Sequence, residues 1–219
     1  RWGSAVASLG YAEWCCRSYA ALLIDGSLLV YGTLGFPSDW RETVPVLFRG
    51  GDVTYYGRVS GGVDSEADIT APDRCRLTSR SNVFGTYGSQ ISYVLTESGL
   101  VAEGSYVRLL NDKKAEDGSF YDGLEEDHPA RRLYDEYGRR VLRLKRELTL
   151  HTADGSQLLL PDGSVLWPVG YDEVAGQFFV EYGEGQEGWF SYAPSSKGWG
   201  FSIEGIDEEE WFETLGYAG

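Results

Sequence analysis

The residues able to do chemistry are few and scattered. His128 and His151 are the only imidazoles, and Cys15, Cys16 and Cys75 the only thiols. Nucleophilic catalysis needs a thiol or hydroxyl within reach of such a base. No Cys–His signature or Gly-x-Ser-x-Gly elbow brings them together, so both histidines read as surface residues, His151 at a strand end and His128 at a helix start. The thiols read either as a bridge from Cys15 or Cys16 to Cys75 or as small buried apolar groups. Zinc spacing is absent. Asp112, Glu116, Asp117, Asp122, Glu125, Glu126 and Asp127 supply oxygens for calcium but match no EF-hand, and read as a solvated linker. With 34 acidic residues, a carboxylate pair for glycoside hydrolysis is imaginable almost anywhere and points to no one place. The GEGQEG run from Gly183 to Gly188 carries Glu184 and Glu187, which suits a hairpin turn rather than a phosphate cradle. The expectation is a chain with no catalytic residue, no metal and no cofactor.

Recognition by aromatic rings remains. Trp167, Tyr171, Tyr182, Trp189, Tyr192 and Trp199 fall at expected strand ends or in loops, where rings stack on sugars or pack on extended peptides. Many such rings turn inward, and Trp189 is the expected core member. Tyr171, Tyr192 and Trp199, beside Asp172 and Glu173, are the candidate ligand-binding residues.

The elements that must position them are strands. Leu142, Leu144, Leu148 and Leu150 alternate with polar residues, the period-two pattern of a half-buried strand. Asp162-Gly163 lies between Leu158-Leu159-Leu160 and Val165-Leu166-Trp167 and predicts a tight hairpin. QFFVEY and GWFSY, joined by GEGQE, predict a second hairpin. Nearer the start, Asp25-Gly26 separates two apolar runs in LLIDGSLLVYG, and SYVLTESGLVAEG (92–104) follows a looser version of the same grammar. SYAALLIDGSLLVYG is similar to a strand pair of regulator-of-chromosome-condensation propeller repeats. The copies are spaced beyond the roughly 40–50 residues of a blade and read as convergent hairpin chemistry.

Glycine and proline punctuate short strand-like pieces through the first hundred residues, which reads as an antiparallel β domain, sandwich or barrel, over residues 1–110. Composition then turns polar and acidic, predicting a linker over 111–139 with a helix at about 128–137, where Asp127 and Pro129 start it and Gly138 ends it. Residues 140–219 form the second expected domain. Asp207 with Glu210 predicts a capped C-terminal helix ended by Gly216, its Trp211, Phe212 and Leu215 facing the body.

LPDGSVLWPVGYDE and QFFVEYGEGQEGWF resemble the bacterial Src-homology-3-like (SH3-like) family. GWGFSIEGIDEEEWFETLGYAG is similar to a closing segment of exported proteins of gut Firmicutes that carry such barrels. The resemblance implies a small β-barrel closed by a short helix, in a protein at a Gram-positive cell surface. It also implies a groove, lined by loop aromatics, for cell-wall peptide, glycan or another surface protein.

Composition bounds the partners. A formal net charge of -15 repels phosphate polyanions, so nucleic acid is a poor partner and anionic lipid likewise. No apolar run is long enough for a transmembrane helix. The sequence contains no Met, and an extracellular or surface-anchored protein whose export signal has been removed is expected. The mainly β fold and missing catalytic signatures favour a non-catalytic exported binding or adaptor module. A carboxylate-pair hydrolase of glycan or peptide, and a structural or assembly protein, are the other classes open.

Overall fold

The computed structural model describes residues 15–23, 25–35, 41–183 and 185–217, with only the backbone described for Cys15, Cys16, Arg17 and Leu22. The chain is mainly β and antiparallel. It divides into unit 1, residues 1–80 with 89–104, and unit 2, residues 81–88 with 105–219.

Unit 1 is built from β1 (Cys15–Leu22), β2 (Leu28–Gly35), β3 (Arg41–Arg49), β4 (Asp52–Tyr55), β5 (Val59–Ser60), β6 (Ile69–Ala71), β7 (Arg74–Asn82), β8 (Thr86–Thr96) and β9 (Gly99–Ala102). The last residues of β7 and the first of β8 fall in unit 2. The strands β1-β2-β3-β4 lie in that order, with β5 also on β3. The Asp25-Gly26 turn joins β1 to β2 as expected, with Leu22 opposite Leu28. Leu29, Tyr31 and Leu47 pack with Val63, Ile69, Cys75, Leu77 and Leu100. Cys75 is a free thiol with no exposure, and burial pushes it up to about 12. The side chains of Cys15 and Cys16 lie outside the described residues.

Unit 2 contains β10 (Tyr106–Leu110), α1 (Ala130–Leu133), β11 (Leu142–Arg143), β12 (Leu148–Thr152), β13 (Gln157–Leu160), β14 (Val165–Asp172), β15 (Gln177–Tyr182), β16 (Gln186–Ser191), β17 (Ala193–Pro194), β18 (Phe201–Ile203), β19 (Ile206–Asp207) and α2 (Glu208–Trp211). Its main sheet runs β13-β12-β16-β15-β14-β10, and β17-β18-β19 form a small second sheet. Alternation sends Leu148, Leu150, Leu166, Phe178, Val180 and Phe190 inward. Phe84, from the short segment 81–88, fills the centre of this core. Its ring is unexposed and lies edge-on to Phe178 at 4.8 Å and to Phe212 at 5.5 Å.

Three expectations are corrected. No closed barrel forms among the described residues: the strand path is open, ending at β13. The Asp162-Gly163 turn makes no hairpin either. β13 folds back on β12 through Asp154-Gly155, with Leu150 opposite Leu158, while β14 takes β11, β15 and β10 as partners. Closure by a β13–β14 pair is thereby lost, because the main-chain groups of Gly163 and Ser164 bond instead to Leu144 beyond β11. The two helices are single turns, since Tyr134 and Phe212 are already extended. Trp211 and Phe212 are nevertheless buried as expected.

The acidic segment 111–139 is packed within unit 2. Lys114 and Ala115 donate backbone bonds to Tyr137 O, and Asn111 Nδ2 donates to the carbonyls of Arg140 and Pro168.

Candidate ligand-binding face

The expected site residues separate into three environments. Tyr171 lies within β14, half-buried, its hydroxyl accepting from Ser81 Oγ at 3.0 Å, and burial raises its phenol above the usual value. Asp172 accepts from the Ala175 backbone N–H at 2.9 Å and Ser105 Oγ at 2.8 Å, which hold its carboxyl below the ordinary value. It caps the β14–β15 turn, and Glu173 is exposed on that turn. Tyr192 is a core residue, 9% exposed, packed edge-on against Phe84 and Phe201, and burial pushes its phenol up to about 12. It still lies close enough to Tyr171, Asp172 and Glu173 to feel their charge. Trp199 is 61% exposed, with Lys197 Nζ 5.9 Å from its ring centre. Of the five, Glu173 and Trp199 are exposed, Tyr171 and Asp172 are half-buried and Tyr192 lies in the core.

A different set is assembled by strand register. On β15, Phe178 and Val180 are buried, so Phe179 and Glu181 take the opposite, outer face; on β16, Phe190 is buried, so Trp189 and Glu187 do the same. Trp189, the expected core member, is corrected to an outer-face residue by this alternation. Arg108 stands opposite Gly170, Gly170 opposite Phe179, Phe179 opposite Trp189, and Trp189 opposite His151. One straight row thus crosses β10, β14, β15, β16 and β12.

Contacts along the row are aromatic. Trp189 and His151 stack, their centroids 4.4 Å apart and planes 16° from parallel. Tyr106, 43% exposed, leans over Gly170 and meets Phe179 edge-on at 5.4 Å. Glycine is required there, because a β-carbon at Gly170 would overlap the Tyr106 ring and come 2.7 Å from Val107 O. Burial first, and then nearby Glu187, raise the Tyr106 phenol.

Polar rows flank the rings, each displaced by about 7 Å along the strands. On one side Tyr106, Asp172, Gln177 and Ser191 stand in register. On the other, Trp167, Glu181 and Glu187 do, and this row borders a cleft of about 270 Å³ that also meets Arg108, Lys113 and Arg139. The cleft is held by one carboxylate. Asp135 accepts from Trp167 Nε1 at 2.8 Å, Arg139 Nε at 3.0 Å and the backbone N–H of Tyr137 and Arg139. The Arg139 guanidinium lies 4.8 Å from the Trp167 ring centre and reaches Glu181 at 3.3 Å.

Such a face offers a row of aromatic rings, Trp189 and His151 each with one side covered by the other, between hydrogen-bonding groups of both signs. Among the described residues no group of three His, Cys, Asp or Glu gathers as a metal site. The face was partly legible. Adjacent rings, Phe178-Phe179 and Trp189-Phe190, must send one member of each pair to either side of a strand. Tyr106, Arg108 and His151 had no such signal, because their neighbours across the sheet are distant in sequence.

Compared with family models, curated proteins and solved structures, the chain matches none.

Proposed function

We propose that the chain is a non-catalytic binding module acting outside the cell, at a bacterial surface, and that it holds a glycan on the outer face of the unit 2 sheet. The observation supporting this reading is the row of half-exposed rings, Phe179, Trp189 and His151 with Tyr106 leaning in, on strands that are already paired. Sugars bind well by laying their apolar C–H faces on aromatic rings while flanking polar groups take the hydroxyls. An extended peptide draws much of its affinity from main-chain bonds to a free sheet edge. Phe179 and Trp189 sit on β15 and β16, each flanked by strands on both sides, so the rings offer no such edge. The resemblance to SH3-like cell-wall modules agrees with the surface setting, with strand-borne rings replacing the loop aromatics.

The test is retention of the full chain on purified peptidoglycan and on insoluble neutral polysaccharide, beside the Phe179→Ala/Trp189→Ala double variant. Retention of the wild type and loss in a folded double variant supports the reading. Equal retention of both removes the ring row from it. Release of soluble sugar on incubation, abolished by Glu187→Gln, replaces the binding module with a hydrolase.

A further inference from the structure

We infer that the ligand is a linear, uncharged polysaccharide lying along the ring row, across the strands rather than parallel to them; this rests on the glycan reading above. Direction comes from register. Arg108, Gly170, Phe179, Trp189 and His151 are successive cross-strand neighbours, whereas along the ring-bearing strands β15, β16 and β12 the next outward residues are polar: Gln177 and Glu181, Glu187 and Ser191, and Thr149. A ligand parallel to the strands would leave the rings after one residue. A ligand crossing them stays on the row for four strand spacings, about 19 Å, or about four pyranose units.

Width agrees with that direction. The two polar rows run parallel to the rings, so a chain on the row has Gln177 and Ser191 along one margin and Glu181 and Glu187 along the other. These groups reach equatorial hydroxyls on both sides of a sugar chain, a geometry that a short or branched ligand does not use.

Charge selects an uncharged chain. The net charge of -15 repels acidic polysaccharides at long range, and Glu181 and Glu187 would face their carboxylates or sulfates at contact. A polycation gains little, because Arg108 and Lys113 lie in the cleft beside the same margin and Glu181 already faces Arg139.

Calorimetric titration of the full chain with β-1,4-linked glucose and N-acetylglucosamine oligomers, from disaccharide to hexasaccharide, tests this. Oligogalacturonate serves as the acidic comparison. Affinity is expected to rise about tenfold or more from disaccharide to tetrasaccharide and then level off. Trp189→Leu, folded by circular dichroism, should weaken the tetrasaccharide about tenfold. Equal affinity for disaccharide and tetrasaccharide, or tighter binding of oligogalacturonate, overturns the linear uncharged chain while leaving a glycan site in place. Binding of none of these oligomers, together with no retention on peptidoglycan or polysaccharide, overturns both readings.

Discussion

His151 stacks on Trp189 across the β12–β16 pair, ring centroids 4.4 Å apart and planes 16° from parallel. The imidazole thereby stands as one more ring of the row. A stacked pair of this kind contributes about 0.5–1.5 kcal/mol beyond the area it buries. His151→Ala is expected to lower the unfolding free energy measured in urea by that order and to increase acrylamide quenching of tryptophan fluorescence. Unchanged quenching would show that Trp189 is not covered by His151.

Phe84 decides the stability of unit 2. Its backbone has φ 53, a region that bulky residues seldom occupy, and its ring meets those of Phe178, Phe190, Tyr192, Phe201 and Phe212. Packing on every side holds it there. Phe84→Ala should cost about 3–5 kcal/mol by equilibrium unfolding, and Phe84→Leu distinctly less. Equal costs would mean that ring shape is irrelevant at the centre of this core.

Gly170→Ala tests the join between β10 and β14. The added methyl displaces the Tyr106 ring and presses on Val107 O, so a loss of about 1–3 kcal/mol is expected, as for overpacking. The near-ultraviolet dichroism of the tyrosines should change with it. A companion Tyr106→Ala change removes the overlap with the ring and should relieve part of the cost; additive losses would refute the overlap.

Glu208 gives stability a pH dependence of known sign. It is 2% exposed, and burial raises its carboxyl above the ordinary 4.5, partly opposed by the Tyr217 hydroxyl, which donates to both oxygens at 2.8 and 2.9 Å. A raised carboxyl means that the folded state holds its proton more tightly than the unfolded chain. Its contribution is therefore complete below pH 4.5 and lost as pH rises through the raised value. Glu208→Gln should flatten that fall in a series of urea titrations run upward from pH 4.5. Tyr217→Phe should steepen it, since a donor that favours the charged form is gone. The neighbouring Asp207, lowered chiefly by Lys197 and Ser195, has the opposite slope at lower pH, and a matched Asp207→Asn series separates the two.

Much of the local structure was readable from residue order. The alternation in QFFVEY and EGWFS is period two with two large rings side by side, and it dictates both the β15–β16 hairpin and the inward set Phe178, Val180 and Phe190. The scarcity of His and Cys, and the excess of acids, are composition and need no fold to be seen. Faces of strands, turn positions at Asp25-Gly26, and the mainly β class all follow from this short-range grammar.

Partners across the sheet do not follow from it. Period two tells a residue which face it occupies but not which strand lies beside it, and Leu158 to Leu160 suits a place next to β14 as well as one next to β12. The choice falls to packing: the leucine faces of β12 and β13 match across Asp154-Gly155, and β14 is left free to take β10. Only that choice brings Tyr106 beside Phe179 and His151 beside Trp189. Phe84 illustrates the same limit, a residue in an unremarked turn that becomes the centre of a core because rings from four later segments converge on it. Sequence determined the faces; burial of complementary faces, which is non-local, determined the row.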